Sequence, residues 1–563
     1  MRRPAVPGFV HEIVDDPRQR GILVSGSLVL FAVGLVPRVL SPGLPDVQQR
    51  LHEQPTVGNL YLLISFGAAA AVLLGGMASD LIRRRELLIG ALTVMAASGL
   101  VCLFITSGPI YYVATFVGVV AGGVGLAYGI GAVAMAYEGV PRATALGVVY
   151  AAYGAGSALA PLLLTIVLVR IPSTVPGEPA GFEYLTWPAE LATLIAAAIA
   201  FAAASRWMPR LPGSLPASRT LVGGVTLWSI SILALVVGIF SFWRGGGPAI
   251  PLALIVLGVV GLATMSFRID RTASEFDRLH LDRRAWGAAL AVGVTLGVSQ
   301  AAPMMVLPTV FERVLGYGQI FAMLAIAPFV IALLLAGPVS GTLLRRFGPR
   351  GMMTVGAFVI AIGDIVLWAI FDAVGRGAGY WLFVVPLVFI GAGFVVATTV
   401  RTAIVFASTP RGLSGMAAAV NEASVSLGAR IGVLAATVLV GSEAISSMQS
   451  QVAGRPNAAA LTSEFTSVLQ ALGTPRFQES IQDALLGAPA EKIGWYVTSY
   501  LNGVEEVLLV SGIVGIIGAL LAWVLVGRRD PLVTVFDMKD ERADIPAGTV
   551  GPAVGVVEAT AAE

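Results

Sequence analysis

Apolar residues run along this chain in stretches of about 20 or more, and the charged residues collect in the short gaps between them. A helix rises about 1.5 Å per residue, so each stretch is long enough to cross the roughly 30 Å of hydrocarbon in a bilayer. Backbone amides and carbonyls meet no water at that depth, and a helix satisfies them within the segment. The pattern predicts fourteen spans, at approximately 21–47, 59–80, 86–107, 110–136, 143–169, 187–205, 221–243, 249–267, 286–308, 319–343, 351–371, 380–405, 412–441 and 507–526. Pro37, Arg38, Pro42 and Pro45 interrupt the outer half of the first. Most connections are too short to hold a domain; 268–285 and Ser442–Glu506 are the two that are not. In the second, Leu461–Leu472 and Phe477–Leu486 carry apolar residues at helical spacing. They read as amphipathic helices lying on the outer leaflet or capping the protein, or as a loop with local helix.

The basic residues give the fourteen spans a direction. With the first segment inside, the inner segments hold 22 arginines up to Arg529, and the outer segments hold eight basic residues: Arg50, Arg170, Arg244, Arg313, Arg376, Arg455, Arg476 and Lys492. Short inner loops rich in Arg and Lys orient a polytopic protein, and the alternation never breaks. A missed or invented span would invert the bias beyond that point. Both termini are therefore expected in the cytoplasm, with the protein multi-pass in the cell's inner membrane. Met1–Gln19 reads as a cytoplasmic leader, and the tail from Asp530 has no sustained periodicity and is expected to be disordered. Tyr111, Tyr112, Trp187, Trp243, Tyr380, Trp381 and Trp495 fall near outer boundaries, as interfacial anchors do.

Composition agrees with this picture and narrows the chemistry. Of 563 residues 56% are hydrophobic and 12% charged, and mean hydropathy is +0.86, so there is too little charge to coat a soluble protein of this length. A single cysteine, Cys102, excludes an intrachain disulfide, and His11, His52 and His280 have no metal-ligand spacing. No nucleotide-binding loop is present. The chain is expected to be no enzyme, to need no cofactor or metal, and to bind no nucleic acid. Transport driven by an ion gradient or by the solute's own gradient fits what remains.

Two loops repeat a pattern. Gly76-Met-Ala-Ser-Asp80-Leu-Ile-Arg83-Arg84-Arg85 follows the second span, and Gly341-Thr-Leu-Leu-Arg345-Arg346-Phe347-Gly348-Pro349-Arg350 follows the tenth. Each has a glycine, three residues, an ionisable residue and a basic cluster at an inner turn, which suggests six spans, an inserted pair and six more. This arrangement resembles the major facilitator superfamily, and the span count resembles its fourteen-span drug:proton antiporter branch (DHA2 type). Gly76, Asp80, Arg84 and Arg85 meet the family's loop signature, from which Leu81 and Arg83 depart; the second copy keeps Gly341, Arg346, Phe347, Gly348 and Arg350 but has Arg345 where the acid would be. The family's antiporter motif in span 5 is matched by Gly147, Gly156, Ala160 and Pro161, with Leu164 and Thr165 in place of its last glycine pair. Two expected groups are missing: Val36 stands where the branch carries an acid in span 1, and Thr115-Phe116-Val117-Gly118 lacks the arginine of span 4.

The resemblance implies an all-α integral membrane protein with two six-helix bundles, 21–205 and 286–529, and an added pair of spans within 206–285 at the lipid-facing periphery. Segment 442–506 projects from the second bundle, and 1–20 and 530–563 flank the whole. It further implies export of a hydrophobic or amphipathic small molecule by alternating access, as a monomer, with protons as the driving ion. Export or flipping of lipids is the alternative, favoured by the two missing groups and by the outer amphipathic segment.

Ionisable residues at membrane depth are the candidates for chemistry, because charge there is costly and turns toward a cavity or a partner. Arg38, Asp364, Glu422 and Arg430 are such residues. Glu422 and Arg430 share a helix face through Ser426. They read either as coupling or substrate contacts or as a structural pair. Arg38 could meet an anionic group, or pair with Asp364 or Glu422. At the inner ends, Glu138 and Arg142 flank the turn between spans 4 and 5, with Arg401 and Arg411 at the turn between spans 12 and 13. Glu138 is expected to pair with Arg401 or Arg411 when the inner route closes.

Overall fold

The computed structural model describes residues 16–36, 84–104, 108–137, 139–170, 187–209, 252–261, 283–317, 319–409, 414–471 and 490–526, with scattered helical positions between 72 and 76 and between 227 and 264. Every regular element among them is helical. In chain order these are α1 (Pro17–Leu35), α2 (Arg84–Phe104), α3 (Gly108–Ala136), α4 (Gly139–Arg170), α5 (Trp187–Trp207) and the short α6 (Leu252–Gly261). Then come α7 (Arg283–Thr309), α8 (Gln319–Leu324), α9 (Ala327–Val374), α10 (Trp381–Ala407), α11 (Ser414–Val452), α12 (Ala458–Ala471) and α13 (Ala490–Leu525). Nine helices among the described residues are long and apolar enough to cross a membrane. The 48-residue α9 folds back on itself at Gly348, whose φ of +69° is open to glycine, and Pro349 after it offers no amide to continue the ladder. It therefore covers the tenth and eleventh predicted spans, and the loop expected between them is this single turn. Arg350 in the turn lies over the Trp523 ring of α13 at 4.0 Å, and Arg346 over Phe347 at 5.5 Å.

Helices α1–α5 pack on one another, and α7, α9, α10, α11 and α13 form a second group. Lipid tails give apolar side chains no reason to prefer each other, so close backbone approach between small residues does the work. Gly293-x-x-x-Gly297 on α7 faces Gly428-x-x-x-Gly432 on α11, and a Cβ on Gly297, Gly428 or Gly432 would meet backbone of the other helix. Between the two groups α4 lies along α9, where a Cβ on Gly147 would fall on the Gly337 carbonyl. The start of α11 lies against α3 and against Gly76, whose Cβ would meet Ala419 and the Gly415 carbonyl.

Segment 442–506 corrects the sequence reading. Helix continues unbroken from the thirteenth span to Val452, and the last helix begins at Ala490, not near 507. At 39 and 36 residues, α11 and α13 reach roughly 58 and 54 Å, well beyond a hydrocarbon layer of about 30 Å. Amphipathic α12 caps their protruding ends: Phe465 packs with Met448 and Val452 of α11 and Trp495 and Tyr496 of α13. Arg455 pairs with Glu491 and Lys492 with Glu464 across this cap. The second expected amphipathic stretch, 477–486, lies outside the described residues. Of the segment expected to hold the inserted pair, Ser231 packs on Gly261, and Leu252, Val256, Leu257, Val259 and Val260 of α6 are exposed.

Candidate functional site

One buried polar cluster joins the two helix groups. Tyr150 stands on α4, about three turns from the helix start. Its hydroxyl donates to Glu422 Oε1 of α11, lies 2.8 Å from Thr402 Oγ1 of α10, and is 3.4 Å from Asn421 Nδ2. Asn421 Nδ2 also donates to Glu422 Oε1 at 2.8 Å and to Thr402 Oγ1 at 2.9 Å. Arg401 lies behind the carboxylate, its Nη2 3.7 Å from Glu422 Oε1, while its Nη1 donates to the Asn421 carbonyl at 2.8 Å and to Ser424 Oγ at 2.7 Å. Arg401 is fully buried, and Gly293 of α7 makes the room: a Cβ there would collide with the guanidinium.

The local sequence explains the shape. Asn421, Glu422 and Ser424 fall within one turn of α11, and Arg401 and Thr402 are neighbours on α10, so two short polar patches meet between two helices. A buried cation is held by a carboxylate and two further acceptors, which offset the loss of water. Glu422 in turn accepts from groups on both sides of the interface. Losing its charge, by protonation or substitution, would weaken the hold on Arg401 and the bond to Tyr150 together. A charge change at one atom is thereby tied to contact between the two halves.

The candidates named from sequence are distributed as follows. Glu422 and Arg401 come together, although one was expected as a coupling residue and the other at the inner rim. The cation beside Glu422 is Arg401 and not Arg430. Arg430 is partly buried, about two turns further along α11. Asp364 is fully buried in the second group, bonded to Ser511. Arg142 Nε donates to the Tyr137 carbonyl at 2.9 Å. Just past the end of α3, burial pushes the Tyr137 phenol up to about 12, with Asp16 adding to the shift and Arg20 opposing it. Arg85 donates to the Ser205 carbonyl, tying α2 to α5, and Arg84 begins α2. Gly341 is buried within α9, and Gly348 and Arg350 form its turn with Arg346. Gly156 faces the Phe31 carbonyl of α1, while Ala160 and Pro161 continue α4. Arg38, Asp80, Glu138 and Arg411 lie outside the described residues.

Tyr150, Thr402, Asn421 and Ser424 were not singled out from sequence. A signal existed: Thr398, Thr399, Arg401 and Thr402 crowd one otherwise apolar span, and Asn421 directly precedes Glu422. Which tyrosine they meet depends on packing between distant spans.

Comparison with known proteins adds the ancestry. The sequence profile described as Major Facilitator Superfamily matches residues 26–362 and again 289–445. The chain is 23% identical over 301 residues to a tetracenomycin C resistance and export protein of Streptomyces glaucescens, covering 53% of each chain. It is 23% identical over 326 residues to a triacylglyceride transporter of Mycolicibacterium smegmatis, covering 56% of this chain and 54% of that one. The chain thus spans about half the length of these two relatives. Among solved structures, the proton:xylose symporter XylE bound to 6-bromo-6-deoxy-D-glucose shares the fold, with a TM-score of 0.55 at 16% identity over 92% of this chain and 98% of that one.

Proposed function

This chain belongs to the Major Facilitator Superfamily, and from that premise we propose that it is a secondary active exporter of hydrophobic or amphipathic compounds working by alternating access. The observation that carries the reading is the Tyr150–Glu422–Arg401 cluster, which ties a titratable carboxylate to the contact between the two halves. Protons entering down their gradient reach Glu422, neutralise it, and loosen both its hold on Arg401 and its bond to Tyr150. The halves then part at that end, which the arginine bias assigns to the cytoplasm. With Arg401 held by Glu422, Arg411 is the remaining partner for Glu138 at the rim. The chain works as a monomer of the fourteen-span antiporter branch in the inner membrane. Drug export is supported by the resistance and export protein among its relatives.

Export of lipids is the second reading. It draws on the triacylglyceride transporter among the relatives and on the amphipathic cap over the extended ends of α11 and α13. Uptake into everted vesicles, with a panel of cationic drugs, neutral drugs and fluorescent glycerides under an imposed pH gradient, separates the two. Drug accumulation that collapses with the gradient and is lost in Glu422→Gln supports the first. Glyceride movement alone supports the second, and movement of neither class would overturn both.

A further inference from the structure

We propose that Asp364 is a second proton-binding site, occupied in this conformation, whose proton completes a hydrogen-bond chain closing a gap in the α7 backbone. The inference goes beyond the coupling proposed at Glu422 and does not depend on it. The gap follows from sequence. Pro303 lies inside α7 and has no N–H, so the carbonyl four residues earlier, that of Ser299, lacks its donor within the helix. An orphaned carbonyl at membrane depth is costly. Ser511 of α13 supplies the missing donor: its Oγ is 3.0 Å from the Ser299 carbonyl oxygen, while Ser299 Oγ donates back to the Ser511 carbonyl at 2.9 Å.

A carbonyl has no hydrogen to give, so the hydrogen in the first of these bonds is the single hydroxyl hydrogen of Ser511. Yet Ser511 Oγ is also 2.7 Å from Asp364 Oδ2. With the serine's hydrogen committed to Ser299, this contact contains a hydrogen only when Asp364 brings one. The chain then reads Asp364 O–H to Ser511 Oγ, and Ser511 O–H to the Ser299 carbonyl. In the ionised alternative the carboxylate would take the serine hydrogen, since charge-assisted bonds are the stronger ones. That would strand the Ser299 carbonyl and leave a buried charge with one donor. Asp364 and Ser299 are fully buried and Ser511 nearly so, and Asp364 Oδ1 has no hydrogen-bond partner among the described residues.

Asp364 makes no ion pair among the described residues, and its one hydrogen-bond partner there is Ser511. Arg401 of α10 is bound to Glu422, and Glu505 of α13 lies beside Asp372 at the far end of α9. Losing the proton would turn Ser511 toward Asp364 and release the Ser299 carbonyl. Because α7 also carries Gly293 and Gly297 against α11, proton occupancy here bears on the helix that encloses Arg401.

Infrared difference spectroscopy on the full-length protein in nanodiscs at neutral pH tests this. The wild type should show the carbonyl stretch of a protonated carboxylic acid that D364N lacks, that E422Q retains, and that S511A shifts. Absence of any such difference between wild type and D364N would overturn the proposal. Thermal unfolding gives a second reading. S511A should lower Tm in the wild type and do so less in a P303A background, where residue 303 regains its N–H. An equal drop in both backgrounds would mean that the Ser511 hydrogen is not committed to Ser299, and the proton assignment would fall with it.

Discussion

Two arginine–glutamate pairs in this protein invert the usual reading of distance. Arg455 and Glu491, in the cap over α11 and α13, stand 2.7 Å apart with side chains 42% and 62% exposed. Arg401 and Glu422 stand 3.7 Å apart with side chains 0% and 9% exposed. The closer pair is the weaker one: water already solvates both partners, and mobile ions screen them. The longer pair sits where water is scarce, so each partner depends on the other and on Tyr150, Asn421 and Ser424 around them. A buried pair is poor evidence of net stability, because desolvation offsets its attraction. It is a sensitive place to change a charge, which suits a group expected to respond to protons.

The largest effect that could break this contrast comes from Arg401. Replacing it with methionine leaves Glu422 buried without its cation, at a cost of about 3–5 kcal/mol. A large drop in Tm is therefore expected by fluorescence-detected melting. Replacing Glu422 with methionine as well should recover most of the stability while transport stays lost. If the double variant is no more stable than the single one, the two residues do not act as a pair.

Tyr150→Phe ranks next, since it removes one oxygen from a contact between the halves and nothing from within either. A hydrogen bond to a charged group contributes about 1.5–3 kcal/mol, or roughly 10- to 150-fold in a two-state ratio. Labelling of a cysteine placed at the end of α3–α4 should rise accordingly, with little change in Tm. A fall in Tm without added labelling would make Tyr150 a packing residue only. Gly293→Ala comes third. Its methyl would press on the Arg401 guanidinium, costing about 1–3 kcal/mol as overpacking. In an Arg401→Met background, where that group is gone, the cost should shrink; an undiminished cost would mean the glycine serves α7–α11 packing alone.

Much of the architecture was legible because the bilayer imposes it. Run length predicted spans that overlap each long helix described, and the Gly341–Arg350 signature coincides with the turn of α9. Where a helix leaves the membrane, the rule that made spans legible stops applying. That is why the helical continuations to Val452 and from Ala490 were read as a loop. The candidate site was half legible. A lone glutamate or arginine in an apolar run announces itself, so Glu422 and Asp364 stood out. Arg401 also stood out, and it lies near the end of α10 as expected, but its partner Glu422 did not follow, since the hydrophobic pattern locates a residue along a helix and not which side it turns inward. Tyr150, Asn421 and Thr402 are ordinary in a membrane helix taken one at a time. Their role comes from meeting across spans 252 and 271 residues apart in the chain.

The smallest expected effect sharpens the opening contrast from its exposed side. Arg455 does two things in the cap: it pairs with Glu491, and its guanidinium lies over the Trp495 ring at 4.1 Å. An exposed ion pair contributes about 0.2–1 kcal/mol and an exposed cation–π contact about 0.5–1 kcal/mol. Glu491→Gln removes only the first, and its effect should fade as salt is raised beyond physiological ionic strength. Arg455→Gln removes both, and part of its cost should survive high salt, because the flat guanidinium also covers apolar ring surface. Neither change should alter labelling at the α3–α4 end. The measurement is Tm at low and high salt for both variants, set beside Arg401→Met, whose loss should hardly respond to salt because ions do not reach the buried pair. If the Glu491 and Arg401 variants respond to salt alike, burial is not what separates the two pairs.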